Sequence, residues 1–264
     1  MPAAKALMFT PPKSLASVLF GGIYRDIRGA HLQGQDLLNH FPASPLVTVT
    51  RVLSGTLTIL PDGPQRNANG NVIMVIGPQN TPVTSRSSGD LAAITLAIYP
   101  DAWRALGGDK NFGTCPNLIA DALMQFDADK AITTGWDTLC AALPQTAESA
   151  IAPTIRDWAR AMLTRAALAG PGRSLRSIER RLKRTSGQTR STLDFFANVE
   201  GLHQTVTQLP DASAAEIAQV AGYADQSHMG RAVRRATGFT PVQLNKAIDS
   251  QEAFWCYRLL GERF

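Results

Sequence analysis

The chain has 264 residues, a formal net charge of +5 and 18% charged residues, enough length for two domains with ordinary cores. It carries no apolar run of about 18 residues, so no helical membrane span is expected, and MPAAKALMFTPPK is too short in its apolar part for a signal peptide. Cys115, Cys140 and Cys256 are scattered and odd in number, which excludes a disulfide framework and a metal spacing; the expected compartment is the cytoplasm.

The charge is uneven. Residues 1–150 hold ten Lys/Arg against eleven Asp/Glu, and residues 151–264 hold sixteen against ten. A phosphate-binding surface requires such a basic excess, so the chain divides at about residue 150. In the first part Leu46–Leu60 is β-branched and partly alternating, with Ser54-Gly55 expected to turn it into a hairpin. Asn69-Gly70 signals a turn before the strand Val72–Ile76, and Leu91–Tyr99 is a further strand. Helical stretches follow at Asp101–Leu106, Leu118–Phe126 and Trp136–Leu143. A β-rich sandwich or barrel with helices behind it is expected over 1–150. Gly77-Pro78-Gln79 reads either as a structural turn or as a loop at a pocket mouth. His31 and His40 have no third ligand nearby, so no metal is expected. The absence of a nucleophile–base pair, a P-loop and a Rossmann glycine motif argues against an enzyme, and no cofactor is expected.

Residues 151–264 read as helical throughout. Thr154–Ala169 is a helix with Ile155, Trp158, Met162 and Leu163 inward, closed by Gly170-Pro171-Gly172. Next comes SLRSIERRLKRTS, Ser174–Ser186, where Leu175, Ile178 and Leu182 are spaced as a buried stripe. Arg176, Glu179, Arg180, Lys183 and Arg184 stand away from it. Seven basic residues and one acid lie between Arg173 and Arg190; alone, that run is either a solvated face or a DNA-facing one. Residues 191–209 form a connecting helix of about 18 residues, roughly 27 Å long, in which His203 is packed or solvated. Two recognition helices separated by such a strut reach successive major grooves, roughly 34 Å apart along the duplex.

The clearest signal is SAAEIAQVAGYADQSHMGRAVRRATGFTPVQL, Ser213–Leu244. Ser213 and Glu216 form a capping box, and Ile217 and Val220 to Ala221 give the first short helix an apolar face. Gly222 suits a helix exit and Asp225 caps the second helix, whose inward stripe is Met229, Ala232 and Val233. Gln226, Ser227, His228, Arg231, Arg234 and Arg235 are left outside. Gly238 ends that helix, and Thr240-Pro241 starts another. A helix-turn-helix presenting these side chains is suited to a DNA major groove. Gln251–Phe264 is aromatic, with a C-terminal helix expected over 250–260; it reads either as a dimer contact or as a helix docked across the DNA-binding domain.

IAQVAGYADQSHMGRAVRRATGFTPVQL resembles the second helix-turn-helix of the AraC/XylS family of bacterial transcription regulators, and SLRSIERRLKRTSGQT resembles the recognition helix of that family's first unit. The likeness covers residues 151–245. It implies an α+β protein of two domains: a β-rich sensor or dimerisation domain over 1–150, and an all-α DNA-binding domain over 151–264. The first helix-turn-helix unit would occupy about 154–187, and the second 213–244. By position, it implies base reading by Arg176, Glu179 and Arg180 in the first unit and by Gln226, Ser227, His228 and Arg231 in the second. Arg pairs with guanine, Gln with adenine and Glu with cytosine. Arg173, Lys183, Arg184, Arg234 and Arg235 fall to phosphates, which position without reading sequence. The implied partners are double-stranded promoter DNA and RNA polymerase, with a small-molecule effector and a homodimer left open, and activation is the usual outcome. Non-specific architectural DNA binding is the alternative. Met229 and Gly230 depart from the pattern, and the first unit lacks the usual short scaffold helix before Ser174. Cys115-Pro116 resembles the methyl-accepting cysteine of DNA-repair relatives, but without that site's other ligands it reads as a loop cysteine.

Overall fold

The computed structural model describes residues 3–61, 65–67, 72–127, 132–144, 154–170 and 174–261. Among these, nine strands occur: β1 (Lys5–Phe9), β2 (Leu19–Asp26), β3 (Leu38–Phe41), β4 (Val47–Ser54), β5 (Thr56–Leu60), β6 (Gln65–Asn67), β7 (Val72–Ile76), β8 (Val83–Ser87) and β9 (Ala92–Ile98). They form one sheet in the order β1-β2-β9-β4-β7 and a second in the order β3-β8-β5-β6. Every pairing is antiparallel.

The hairpin expected at Ser54-Gly55 does not form. β4 pairs with β7 and β9, whereas β5 pairs with β6 and β8. Gly55 takes a φ of +73°, which costs glycine little, and a Cβ there would fall 2.5 Å from Ser88 Oγ. The chain therefore turns a corner from one sheet to the other. Thr48 and Thr50 of β4 and Leu57 and Ile59 of β5 then line a common cavity. The turn expected at Asn69-Gly70 lies outside the described residues.

The helices are α1 (Pro100–Ala105), α2 (Asn117–Met124), α3 (Ile132–Ala142), α4 (Ile155–Leu168), α5 (Leu175–Ser186), α6 (Arg190–Gln208), α7 (Ala214–Val220), α8 (Gln226–Thr237), α9 (Pro241–Ser250) and α10 (Trp255–Gly261). One apolar cluster runs from Leu19, Val49 and Leu96 of the sheets through Trp103 and Trp158 to Leu182 and Phe196 of α5 and α6. Trp158 stacks on Tyr99 at 5.3 Å between ring centroids and donates Nε1–H to Asp101 Oδ1 at 2.9 Å. The free amides at the start of α4 meet a buried carboxylate, since Glu200 of α6 accepts from Ile155 N at 2.8 Å and Arg156 N at 3.1 Å.

Two apolar stripes differ from expectation. Ile178 is half-buried and Leu182 buried, but Leu175 is 71% exposed. α5 leans on α4 through its C-terminal half, and Arg181 takes the inward position, donating Nε–H to Ala166 O at 2.6 Å. In α7 the buried residue is Ala218, and Val220 is 63% exposed. Two residues further along a helix is a rotation of about 200°, which turns Val220 to the opposite face.

The C-terminal stretch bridges the helical region and the sheets: Phe254 and Tyr257 pack with Ala247 of α9, and Arg258 Nη1 donates to Ile248 O at 2.8 Å. Residues 251–261 return to the sheets, where α10 packs against β1 and β3. Trp255 donates Nε1–H to Asn39 Oδ1 at 2.8 Å, and Glu252 Oε1 accepts from Arg25 Nη2 at 2.6 Å. The Arg25 guanidinium lies 4.8 Å from the centre of the Trp255 ring. An aromatic helix can bury its rings on an apolar sheet edge, which the basic, solvated faces of α5 and α8 do not provide.

Candidate nucleic-acid interface

α5 and α8 are built alike. Each has twelve residues, each begins at a side-chain cap (Ser174 accepting from Ser177 N, Asp225 accepting from His228 N), and each ends at a left-handed glycine, Gly187 or Gly238. Beta-like backbone at the cap and positive φ at the exit define both ends without help from outside. On α5, Arg176, Glu179, Arg180, Lys183 and Arg184 are all exposed. Arg176, Arg180 and Lys183 are spaced i, i+4, i+7 and so share a face. Arg173 lies outside the described residues.

On α8, Gln226, Ser227, His228, Arg231, Arg234 and Arg235 are exposed while Met229 and Ala236 are buried. Ser227, Arg231 and Arg234 share one face by the same spacing. Two of these side chains have intramolecular partners. The His228 ring meets Tyr223 edge-on at 5.3 Å, and the Arg235 guanidinium sits 3.9 Å from the centre of the Phe195 ring of α6. Arg235 therefore braces α8 against α6 as well as facing solvent. At Gly230 an added Cβ would meet nothing within 4 Å.

The two units differ in their support. α7 is a seven-residue helix closed by a full capping box, with Ser213 and Glu216 satisfying each other's backbone amides. The first unit has the 14-residue α4 instead, joined to α5 through residues 169–174, with no separate short helix among the described residues there. α6 contacts α4, α5, α7 and α8, so it lies between the α4–α5 and α7–α8 pairs.

Several polar contacts were not legible in the sequence. Arg104 of α1 donates to the carbonyl oxygens of Arg184 and of Thr185, the latter at 3.0 Å. The amide of Ala43 donates to Ala236 O at 2.7 Å. Contacts between residues so distant in the chain leave no local pattern to read.

Between the two sheets lies a cavity of about 180 Å³. Apolar side chains such as Met8, Ile23, Leu57 and Met74 dominate its wall, and Trp255, Cys256 and Leu260 of α10 complete it. Gly77 and Gln79 also line it, and Gln79 is fixed there by reciprocal backbone bonds with Ser44 of 2.8 and 3.0 Å; the segment forms an isolated antiparallel bridge at the cavity wall rather than a turn. Arg25 is buried at the cavity, which lowers its pKa by desolvation although the hydrogen-bonded Glu252 works in the opposite direction. Its Nε has no partner among the described residues.

The cysteines are unsuited to nucleophilic chemistry. Burial pushes the Cys115 thiol up to about 11 and the Cys256 thiol up to about 12, far from the thiolate form. Among the described residues no three His, Cys, Asp or Glu side chains gather as a metal set, and no helix is long and apolar enough to cross a membrane.

No family model and no curated protein matches the chain. Among solved structures it is similar to ToxT from Vibrio cholerae, with 11% identity over 92% of this chain and 97% of that one, at a TM-score of 0.38. ToxT from Vibrio cholerae O395 bound to (E)-4-(8-methylnaphthalen-1-yl)but-3-enoic acid matches at 9% identity over 92% and 98%, with a TM-score of 0.39. The AraC-like transcriptional activator CuxR matches at 9% identity over 98% and 92%, with a TM-score of 0.19.

Proposed function

We propose that the protein is a sequence-specific DNA-binding transcription regulator that places α5 and α8 in successive major grooves of one promoter site. The observation that carries this reading is the pair of twelve-residue helices, capped alike and presenting Arg176, Glu179, Arg180, Gln226, Ser227 and Arg231 to solvent on one chain. Bidentate Arg and Gln contacts discriminate base pairs in the major groove. Lys183, Arg184 and Arg234 supply phosphate contacts beside them. Arg235 contributes there only in so far as it leaves Phe195. The same reading follows from the resemblance of residues 151–245 to AraC/XylS regulators, which adds recruitment of RNA polymerase and activation as the outcome.

The cavity between the sheets supports control by a small, largely apolar effector. An apolar, largely preformed cavity with few polar groups is the usual form of a ligand site, and Arg25, whose Nε has no hydrogen-bond partner among the described residues, lies at its wall. One chain presents both recognition helices, so a site without two-fold symmetry suffices.

Selection of bound fragments from sheared genomic DNA, at low and near-physiological salt, tests the reading, with Arg231→Ala run beside the natural chain. One enriched motif is expected, relaxed at a single position in the variant by about 1–3 kcal/mol. Recovery without sequence preference that disappears as salt is raised would overturn it in favour of an architectural role.

A further inference from the structure

We propose that Arg104 is a positioning residue for DNA recognition: from the sandwich side of the molecule it fixes α5 relative to α8, and so sets the spacing between the two DNA boxes that the chain accepts. This rests on the regulator reading above.

The last turn of a helix leaves its carbonyl oxygens without amide partners. In α5 the oxygens of Arg184 and Thr185 are such groups, and both are taken by one guanidinium, that of Arg104. Its Nη2 also lies 3.3 Å from the place a Cβ would occupy on Gly187, the residue that ends the helix. A cation at this end is further favoured by the helix dipole. The turn so held carries Lys183 and Arg184 on its outer face, so any displacement of it moves DNA-facing side chains.

α1, which carries Arg104, is anchored on both sides. It follows directly from β9, whose Ala93, Thr95 and Ala97 line the cavity. Its Asp101 accepts from Trp158 Nε1 at 2.9 Å and from Arg165 Nη1 at 3.0 Å, both on α4. A short helix thus grips the scaffold helix with a carboxylate and the recognition helix with a guanidinium, one turn apart.

The second unit is held at the equivalent place by different chemistry. Ala236 O, in the last turn of α8, accepts from Ala43 N, and Gly238 lies against Pro82, 3.5 Å from its Cγ to an added Cβ. Ala43 follows β3, and Phe41 and Pro42 just before it line the same cavity. Both helices are therefore held at their C-terminal ends, α5 by α1 at the end of β9 and α8 by the segment after β3. The Ala43 contact is made by backbone and no side-chain change removes it, whereas Arg104 is separable by substitution.

The full-length chain is used to select duplexes from a random pool. The spacing between the two boxes is then lengthened or shortened by single base pairs, and each duplex is titrated with the natural chain, Arg104→Ala and Arg104→Lys. Every inserted base pair rotates one box against the other, so a fixed pair of helices prefers one spacing. The natural chain is expected to do so, and Arg104→Ala to lose about tenfold of that preference, ~1.4 kcal/mol, with unchanged affinity for a duplex carrying only the box read by α8. Arg104→Lys, which offers a point charge rather than a fork, is expected to fall between them. A spacing profile in Arg104→Ala parallel to that of the natural chain, whether at equal or uniformly lower affinity, overturns the proposal. Should Arg104→Ala melt below the working temperature, Arg104→Gln is read by the same criterion. Failure of the natural chain to select any sequence is a different result, and overturns the regulator reading itself.

Discussion

α5 and α8 match in length and capping and are both basic, yet they are rooted in different parts of the protein. α8 packs with Leu202, Ala218 and Tyr223 around Met229 in a small cluster of its own. α5 contributes Leu182 to the large cluster that contains Trp103, Trp158 and the sheet residues. The helices α7 and α8 thus have an apolar cluster of their own and meet the sandwich through the Ala43–Ala236 bond, whereas α5 shares the sandwich core itself. Damage to the sandwich should reach α5 before α8.

Trp158→Ala gives the largest test. It empties a fully buried ring site and should cost about 3–5 kcal/mol, read by denaturant unfolding. Amide exchange should show α5 losing protection while α8 keeps it, and equal loss in both helices would break the contrast. Met229→Ala is the converse, at about 2–5 kcal/mol, with the loss confined to α7 and α8. On DNA, Arg180→Ala and Arg231→Ala should each cost about 1–3 kcal/mol, at two separate positions of the selected motif. If both relax the same position, the two helices do not read separate boxes.

The smaller effects sharpen the same picture. His40 sits between Phe239 and Phe254, at 5.6 and 4.7 Å between ring centroids, and burial holds its pKa below the ordinary value of 6.5. Burial does the same to His203, with the backbone at Leu260 acting in the opposite direction. Below an ordinary histidine pKa of about 6.5 the unfolded chain binds more protons than the folded one, so stability falls as pH drops through that value. The melting temperature should decline from about pH 7.5 to about pH 5.5, and decline less in His40→Gln. Gly230→Ala should raise it, since the added Cβ meets nothing and alanine favours a helix by about 0.5–1 kcal/mol over glycine.

The same contrast separates what was legible in the sequence from what was not. The second unit was readable almost to the residue, because caps, left-handed exits and a 3.6-residue stripe are local signals, and Ser213, Asp225, Gly238 and Thr240 all act where their chemistry placed them. The exposed positions of α5 were readable for the same reason. Leu175 was misjudged because spacing says nothing about where the supporting helix ends. Strands β1, β2, β3 and β8 left no clear pattern. β2 carries a Gly-Gly pair, and β8 is VTSRS, whose buried Ser85 and Ser87 are held by Asn39 rather than by apolar contacts. Whether Ser54-Gly55 closes a hairpin or turns a sandwich corner depends on partner strands far along the chain. Arg104 and the cavity wall of α10 depend on the same long-range assembly.

The return of residues 251–261 to the sheets has a consequence for how the protein is made. β1, β3 and Arg25 leave the ribosome before the helices, while Trp255, Cys256 and Glu252, which finish their surroundings, emerge only after α4 to α9. During synthesis the sandwich is therefore missing one wall, and Arg25 has no carboxylate to meet. A chain cut short before Gln251 lacks Trp255, Cys256 and Leu260, so that side of the cavity and Arg25 stand open to solvent. Residues 251–261 are thus the last described part of the fold to join the sheets, and they cover strands laid down more than two hundred residues earlier.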